Sequence, residues 1–313
     1  MNWKTRIRYY IACLLPYGIR QRIQAHLARK RRKNAARLEA RLEELRNLLI
    51  FCHPIDQVPA ATGKLRLLQQ GNTVLMHYFA RCCEKHGLRY WLDYGTLLGA
   101  VRHGGFIPWD DDLDVSMMRP DFDRLLELVP SLFPEEEGFT HSMHAFLQIG
   151  YKGTPLNIDI YPYHFYKEPI TPANKAKVDA DVTRMKKQVV YIPPILNMSD
   201  AKVQATIREE ILGGAPVPPE SEQPGIFLSP AITFTKNTVL SYEDIFPLRT
   251  VSFEGIPFQA PNRMRSYLQF FYGDYMAYPP AVGYKHPSVE HMVKTLAFET
   301  AVNTFIDRYT PLS

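Results

Sequence analysis

Four aspartates fall within five positions and run straight into an alternating apolar segment, Asp110-Asp111-Asp112-Leu113-Asp114-Val115-Ser116-Met117. A strand repeats every two residues, so this spacing predicts Asp112 and Asp114 on one face and Leu113 and Val115 on the other. If the strand runs back, Asp110 shares the Asp112 face. Carboxylates on one face repel, and burying them uncompensated costs several kcal/mol. An acidic cluster standing alone is more often a solvated turn. This one follows Pro108-Trp109, enters an apolar strand and trails a Gly95-Thr96 turn. That context favours a bound cation, and an all-oxygen ligand set selects Mg²⁺ or Mn²⁺ over zinc.

A further carboxylate has a similar setting. Asn157-Ile158-Asp159-Ile160-Tyr161 alternates, with Asp159 on the polar face. A neighbouring antiparallel strand is expected to bring Asp159 beside Asp112 and Asp114. The metal set is then Asp112, Asp114 and Asp159, with Asp110 as a further ligand or as a base. Gly95 and Thr96 supply the backbone N–H groups and hydroxyl that hold phosphate oxygens. Together they form the plan of a nucleotidyltransferase-type site, in which metal-held carboxylates polarise a phosphoryl group.

The run Gly95–Val115 (GTLLGAVRHGGFIPWDDDLDV) closely resembles the signature of the LicD/fukutin family of phosphotransferases. The resemblance continues at Ile158-Asp159-Ile160, at Asp244–Pro247 with Phe253-Glu254-Gly255, and from Tyr267-Leu268 through Tyr272-Gly273-Asp274 to Pro279-Pro280. It covers roughly residues 64–290. It implies an α+β, nucleotidyltransferase-like mixed sheet flanked by helices. It also implies transfer of a phospho-alcohol, of the phosphocholine or polyol phosphate class, from a CDP-linked donor to a glycan hydroxyl. The motif gives Arg102 a role on a donor phosphate and makes His103 and His286 site candidates. Each stays open: a donor-phosphate partner or a surface cation for Arg102, a base, a hydrogen-bonding scaffold or no role for His103, a site residue or a structural histidine for His286.

The remaining sequence sets the domain plan. Residues 1–50 carry 13 Lys or Arg against 3 Glu, a net of +10, while the rest carries 24 against 29, a net of −5. Residues 1–62 thus read as a basic helical appendage and linker, and 63–313 as the catalytic domain. Trp3, Ile7, Tyr10, Ile11, Leu14 and Leu15 recur at helical spacing among Lys4, Arg6 and Arg8. That is the pattern of a helix lying on an anionic membrane, with packing on the domain as the alternative. The basic run Arg29-Lys30-Arg31-Arg32-Lys33 adds to the membrane reading. Leu38, Leu42, Leu45 and Leu49 form a stripe suited to packing or self-association. No aromatic platform interleaves the basic run, which argues against nucleic acid as a partner.

The four cysteines show no CxxC spacing and read as reduced thiols. No apolar run reaches about 18 residues, and no signal peptide is expected. The expected location is therefore cytoplasmic and peripheral, at the inner face of the cell membrane, with a lipid-linked glycan as acceptor. Residues 213–225 (GGAPVPPESEQPG) read as a mobile loop. Two rival functions stay open: a glycosyltransferase using an Asp-x-Asp motif and a nucleotide sugar, and a catalytically silent membrane-bound scaffold.

Overall fold

The longest strand, Asn157–Phe165, reads near-continuously apolar after Asp159, as a strand covered on both faces does. A computed structural model describes residues 54–190, 200–232, 236–279 and 297–310, with Thr295 and most of 26–45. The expected membrane-facing helix, Cys13, Cys52, Leu42, Leu49 and His286 lie outside the described residues. The chain divides into two units, Met1–Gln57 and Val58–Ser313. In the first, the described part of 26–45 is helical, and Arg29 to Lys33 are exposed. Leu38 and Leu45 are exposed there too. Among the described residues no helix is long and apolar enough to cross a membrane.

The second unit is α+β. It opens with α1 (Gly63–His86), whose buried stripe includes Leu68, Leu75, Met76, Phe79 and Cys83. Each such side chain contributes about 1.5–3 kcal/mol of burial. Gly87, at φ 64°, ends the helix, and its N–H returns to the Cys83 and Glu84 carbonyls. Then follow β1 (Trp91–Leu92), α2 (Tyr94–His103), β2 (Asp114–Met118) and α3 (Arg119–Leu132), which has Pro120 in its first turn. Next come β3 (Phe139–Met143), β4 (Leu147–Tyr151), β5 (Asn157–Phe165), α4 (Lys175–Val190) and α5 (Asp200–Glu210). The remaining elements are β6 (Ile226–Leu228), β7 (Val239–Leu240), α6 (Tyr242–Ile245), β8 (Arg249–Phe253), β9 (Ile256–Ala260), α7 (Met264–Tyr272) and α8 (Phe298–Tyr309).

The main sheet runs β1-β2-β5-β4-β3, with β6 beyond β4 on the same edge of β5 and β7 beside β6. The β2–β5 pair is parallel, correcting the expected antiparallel neighbour. A parallel pair needs a long crossover, supplied here by α3 and the β3–β4 hairpin. Residues 139–151 form that hairpin. β5 then pairs with β4 antiparallel. α1 and α3 pack on the central strands, and α8 lies along α1. Gly71 allows this last approach: a Cβ there would stand 2.7 Å from Leu156 and 2.9 Å from Val302. A satellite core of Val178, Val182, Met185, Val203 and Ile207 joins α4 and α5 to β6 and β7.

The apolar run 88–94 is a strand only at Trp91–Leu92, because Asp93 caps a helix that starts at once. The loop 213–225, expected to be mobile, is tied at its centre. Glu220 accepts two hydrogen bonds from the Arg89 guanidinium (2.7 and 2.9 Å) and one from the Tyr242 hydroxyl (2.9 Å).

Candidate active site

The site is built where α2 begins. Asp93 is the helix N-cap and accepts from Tyr94 N–H at 2.7 Å. Tyr94 itself has φ 40°, a left-handed conformation uncommon for an aromatic residue. Gly95 and Thr96 therefore form the first helical turn rather than a free turn. The positive dipole end of a helix favours an anion there. Thr96 is buried, and its hydroxyl accepts from Asp114 N–H (2.8 Å), so it fastens β2 to α2.

Asp93 is the residue the sequence reading passed over. It is fully buried, and its carboxylate accepts from Ser116 Oγ (2.6 Å), Tyr267 OH (2.7 Å) and Tyr163 OH (3.3 Å) besides its capping bond. Burial pushes its pKa up to about 6, against the pull of those hydrogen bonds. The available signal was an acid directly after the apolar run Tyr90-Trp91-Leu92 and two residues ahead of the Gly-Thr pair.

Asp114 opens β2 and stands in register with Asp159 of β5. Parallel partners share a face, so these two carboxylates are lateral neighbours. Asp159 is in turn in register with Gln148 of β4. The Gln148 amide donates to Asp159 Oδ1 at 2.8 Å, and Asn157 Nδ2 approaches the same oxygen at 3.4 Å. Tyr161 OH donates to Asp114 Oδ1 at 3.3 Å. Asp110 and Asp112 lie in the irregular segment before β2, not on the strand as expected. Ligand oxygens of Asp110, Asp111 and Asp112 lie within 4.8 Å of one another. Gly95 lies against them: a Cβ there would meet Asp110 Oδ2 at 2.7 Å, so the Asp110 carboxylate would have to shift.

Burial and the charges of Asp112, Asp159 and Asp110 raise Asp114 well above the usual carboxylate range. Burial and the charges of Asp112 and Asp111 raise Asp110 likewise. The groups acting on these acids are mostly other acids. Such a crowded, all-oxygen set is chemically suited to a divalent cation.

Arg102 is buried in the last turn of α2. Its Nη1 donates to the Tyr275 carbonyl (2.6 Å) and its Nε to His103 Nε2 (3.0 Å). The guanidinium thus already holds the segment after α7, and His103 is its partner. Tyr267 belongs to the Asp93 network and Tyr272 is exposed at the rim. Tyr94, Tyr161, Phe146 and Phe271 form an aromatic wall, with ring centroids 4.9–5.3 Å apart.

The site is thus a small mixed sheet with carboxylates on adjacent strands beside a helix N-terminus. Residues 87–205 match the family described as LicD/FKTN/FKRP, nucleotidyltransferase domain. The chain is similar to the lipopolysaccharide cholinephosphotransferase LicD of Haemophilus influenzae, 46% identical over 67 residues, which is 21% of this chain and 25% of that protein. It is also similar to the human ribitol 5-phosphate transferase FKRP, 33% identical over 94 residues, 28% of this chain and 19% of that one. An uncharacterized protein of Rickettsia prowazekii is 38% identical over 112 residues, 30% of this chain and 41% of the relative. The matched segments span well under two thirds of each relative's length.

Proposed function

We propose that this protein transfers a phospho-alcohol from a CDP-activated donor to a glycan hydroxyl, in a reaction that depends on Mg²⁺ or Mn²⁺. The observation that carries this reading is the in-register pair Asp114 and Asp159, set beside Asp110 and Asp112 at the head of α2. The two named transferases among the relatives support the phospho-alcohol class.

Asp112, Asp114 and Asp159 would hold the cation, and Gln148 would orient Asp159 through its amide bond. When bound, the cation polarises the phosphoryl group and offsets the charge on the departing nucleotide. The first turn of α2 presents Gly95 and its neighbouring N–H groups to the donor diphosphate. The acceptor hydroxyl attacks the phosphorus that bears the alcohol, and the bond to CMP breaks. Asp110, against Gly95, takes the hydroxyl proton. Arg102 holds the Tyr275 segment against the end of α2. The basic N-terminal region, including Arg29 to Lys33, rests on anionic membrane at the cytoplasmic face and brings the site to a lipid-linked acceptor.

The test is a thermal-shift titration with CDP-choline, CDP-ribitol, CDP-glycerol and UDP-glucose, each with and without Mg²⁺ or Mn²⁺. Binding at a hundredfold excess over Kd stabilises by about 2.7 kcal/mol, which for a domain of this size is roughly 5–10 °C. A metal-dependent shift with one CDP-alcohol, lost in Asp159→Asn, is the expected result. A shift with UDP-glucose alone would transfer the case to a glycosyltransferase. No shift with any donor would favour the silent scaffold.

A further inference from the structure

The acid-bearing segment, residues 104–112, has little regular structure of its own and is gripped from three sides. From α1, Gln69 Nε2 donates to the Asp110 carbonyl (3.0 Å) and reaches the Ile107 carbonyl (3.4 Å). Asn72 Nδ2 donates to the Asp111 carbonyl (3.1 Å). Both side chains are buried. From α2, Gly99 lies so close that a Cβ would stand 2.4 Å from the Gly105 carbonyl. The third grip is the tip of the β8–β9 hairpin. Glu254 N–H donates to the Gly104 carbonyl (2.9 Å), and its Oε1 accepts from Phe106 N–H (3.1 Å). Arg66 of α1 closes the clamp with a two-pronged bond to the same carboxylate (2.6 and 3.0 Å).

The hairpin chemistry shows that Glu254 is not there for the turn. Phe253 pairs with Ile256, leaving a two-residue loop with φ 52° at Glu254 and 80° at Gly255. Both central residues are left-handed, the geometry that favours Asn-Gly, Asp-Gly or Gly-Gly. Glutamate is a poor choice for that first position and holds it at a conformational cost. Its carboxylate is spent on the acid-bearing loop. Gly105 makes room for it, since a Cβ there would meet Glu254 Oε1 at 2.4 Å.

We infer that Glu254 is a positioning residue, which with Arg66, Gln69 and Asn72 fixes the backbone of residues 104–112 and thereby aims Asp112 at the cation and sets Asp110 beside it. This rests on the cation-dependent reading above. Residues that orient a metal's ligands are worth roughly ten- to hundredfold in metal affinity.

The experiment measures Mn²⁺ binding directly, by electron paramagnetic resonance of free Mn²⁺, so it does not depend on knowing the donor. The full chain is compared with Glu254→Asn, with Arg66→Met/Glu254→Asn and with Glu254→Gln, each also followed by thermal melting. Asparagine suits the turn but is too short to reach Phe106, and the double variant leaves no unpaired guanidinium. We expect both Asn variants to melt within a few degrees of the parent yet bind Mn²⁺ about tenfold or more weakly. Glu254→Gln keeps an acceptor for Phe106 and should restore most of the affinity. Folded Asn variants that bind Mn²⁺ as well as the parent would overturn the clamp and leave the cation reading standing. A parent chain that binds no Mn²⁺ would overturn both.

Discussion

Removing the Asp93 carboxylate is the most direct test of how the head of α2 is held. Asp93 accepts four hydrogen bonds in a fully buried position, from Tyr94 N–H, Ser116 Oγ, Tyr163 OH and Tyr267 OH. In Asp93→Ala the two tyrosine hydroxyls, already 3.2 Å apart, can satisfy each other. The Tyr94 N–H and the Ser116 hydroxyl are left without their acceptor. Each buried orphan costs about 1–3 kcal/mol, and relief of the buried charge returns part of the total. The expected net loss is about 3 kcal/mol. Asp93→Asn retains one acceptor oxygen for Tyr94 and Tyr267, and its amide can donate to hydroxyls that rotate to accept, so about 1 kcal/mol is expected. Urea unfolding followed by circular dichroism measures both at constant pH. At roughly 2–4 °C per kcal/mol, the alanine variant should melt about 6–12 °C below the parent. Equal losses in the two variants, or an alanine variant within about 1 kcal/mol of the parent, would refute the hydrogen-bond accounting.

Two other substitutions address the site and the flanking loop. Gly95→Ala should keep the fold, since Gly95 has no positive φ, but it forces Asp110 away. Turnover should fall by at least tenfold with little change in melting temperature, and full activity in a steady-state assay would show that Asp110 need not lie against α2. The Arg89–Glu220 bridge should respond to acid. Arg89's hydrogen bonds, opposed by burial and joined by Tyr242, hold Glu220 below its ordinary value of 4.5. A depressed acid contributes its stability above the unfolded value and loses it as pH falls through the folded one. The stability lost in Arg89→Met should therefore be greatest at neutral pH and shrink below about pH 4.5 in a urea series. A deficit that grows in acid would be inconsistent with the bridge.

Much of this plan was legible from residue order. The acid cluster, Asp159 and the Gly95-Thr96 pair were visible because polar residues interrupting apolar alternation must be compensated. Helix ends at Gly87 and Pro120 follow from local backbone preference. What escaped were relations set by partners distant in sequence. Nothing local says that β2 and β5 run parallel, because strand direction depends on the crossover through α3 and the β3–β4 hairpin. Nothing local says that the Thr96 hydroxyl accepts from Asp114 N–H and so ties β2 to α2. Loop 213–225 has a flexible composition, yet Arg89 anchors Glu220. Asp93 and Glu254 were hidden for the same reason: each looks ordinary until its buried hydrogen-bond donors arrive from other elements.

The register between Asp114 and Asp159 carries one more implication. Forty-five positions of chain separate the two acids, yet their spacing is set by the hydrogen-bond ladder and not by that chain. The ladder works as a ruler marked in whole residues. A slip of one mark would swing Asp159 to the opposite face and bring an isoleucine, Ile158 or Ile160, alongside Asp114. Intermediate settings do not exist, so the crossover can change in length or composition without graded damage to the acid pair. The chemistry is in this sense insulated from the loops beside it, and variation in those loops can reshape what reaches the two acids while leaving the gap between them unchanged.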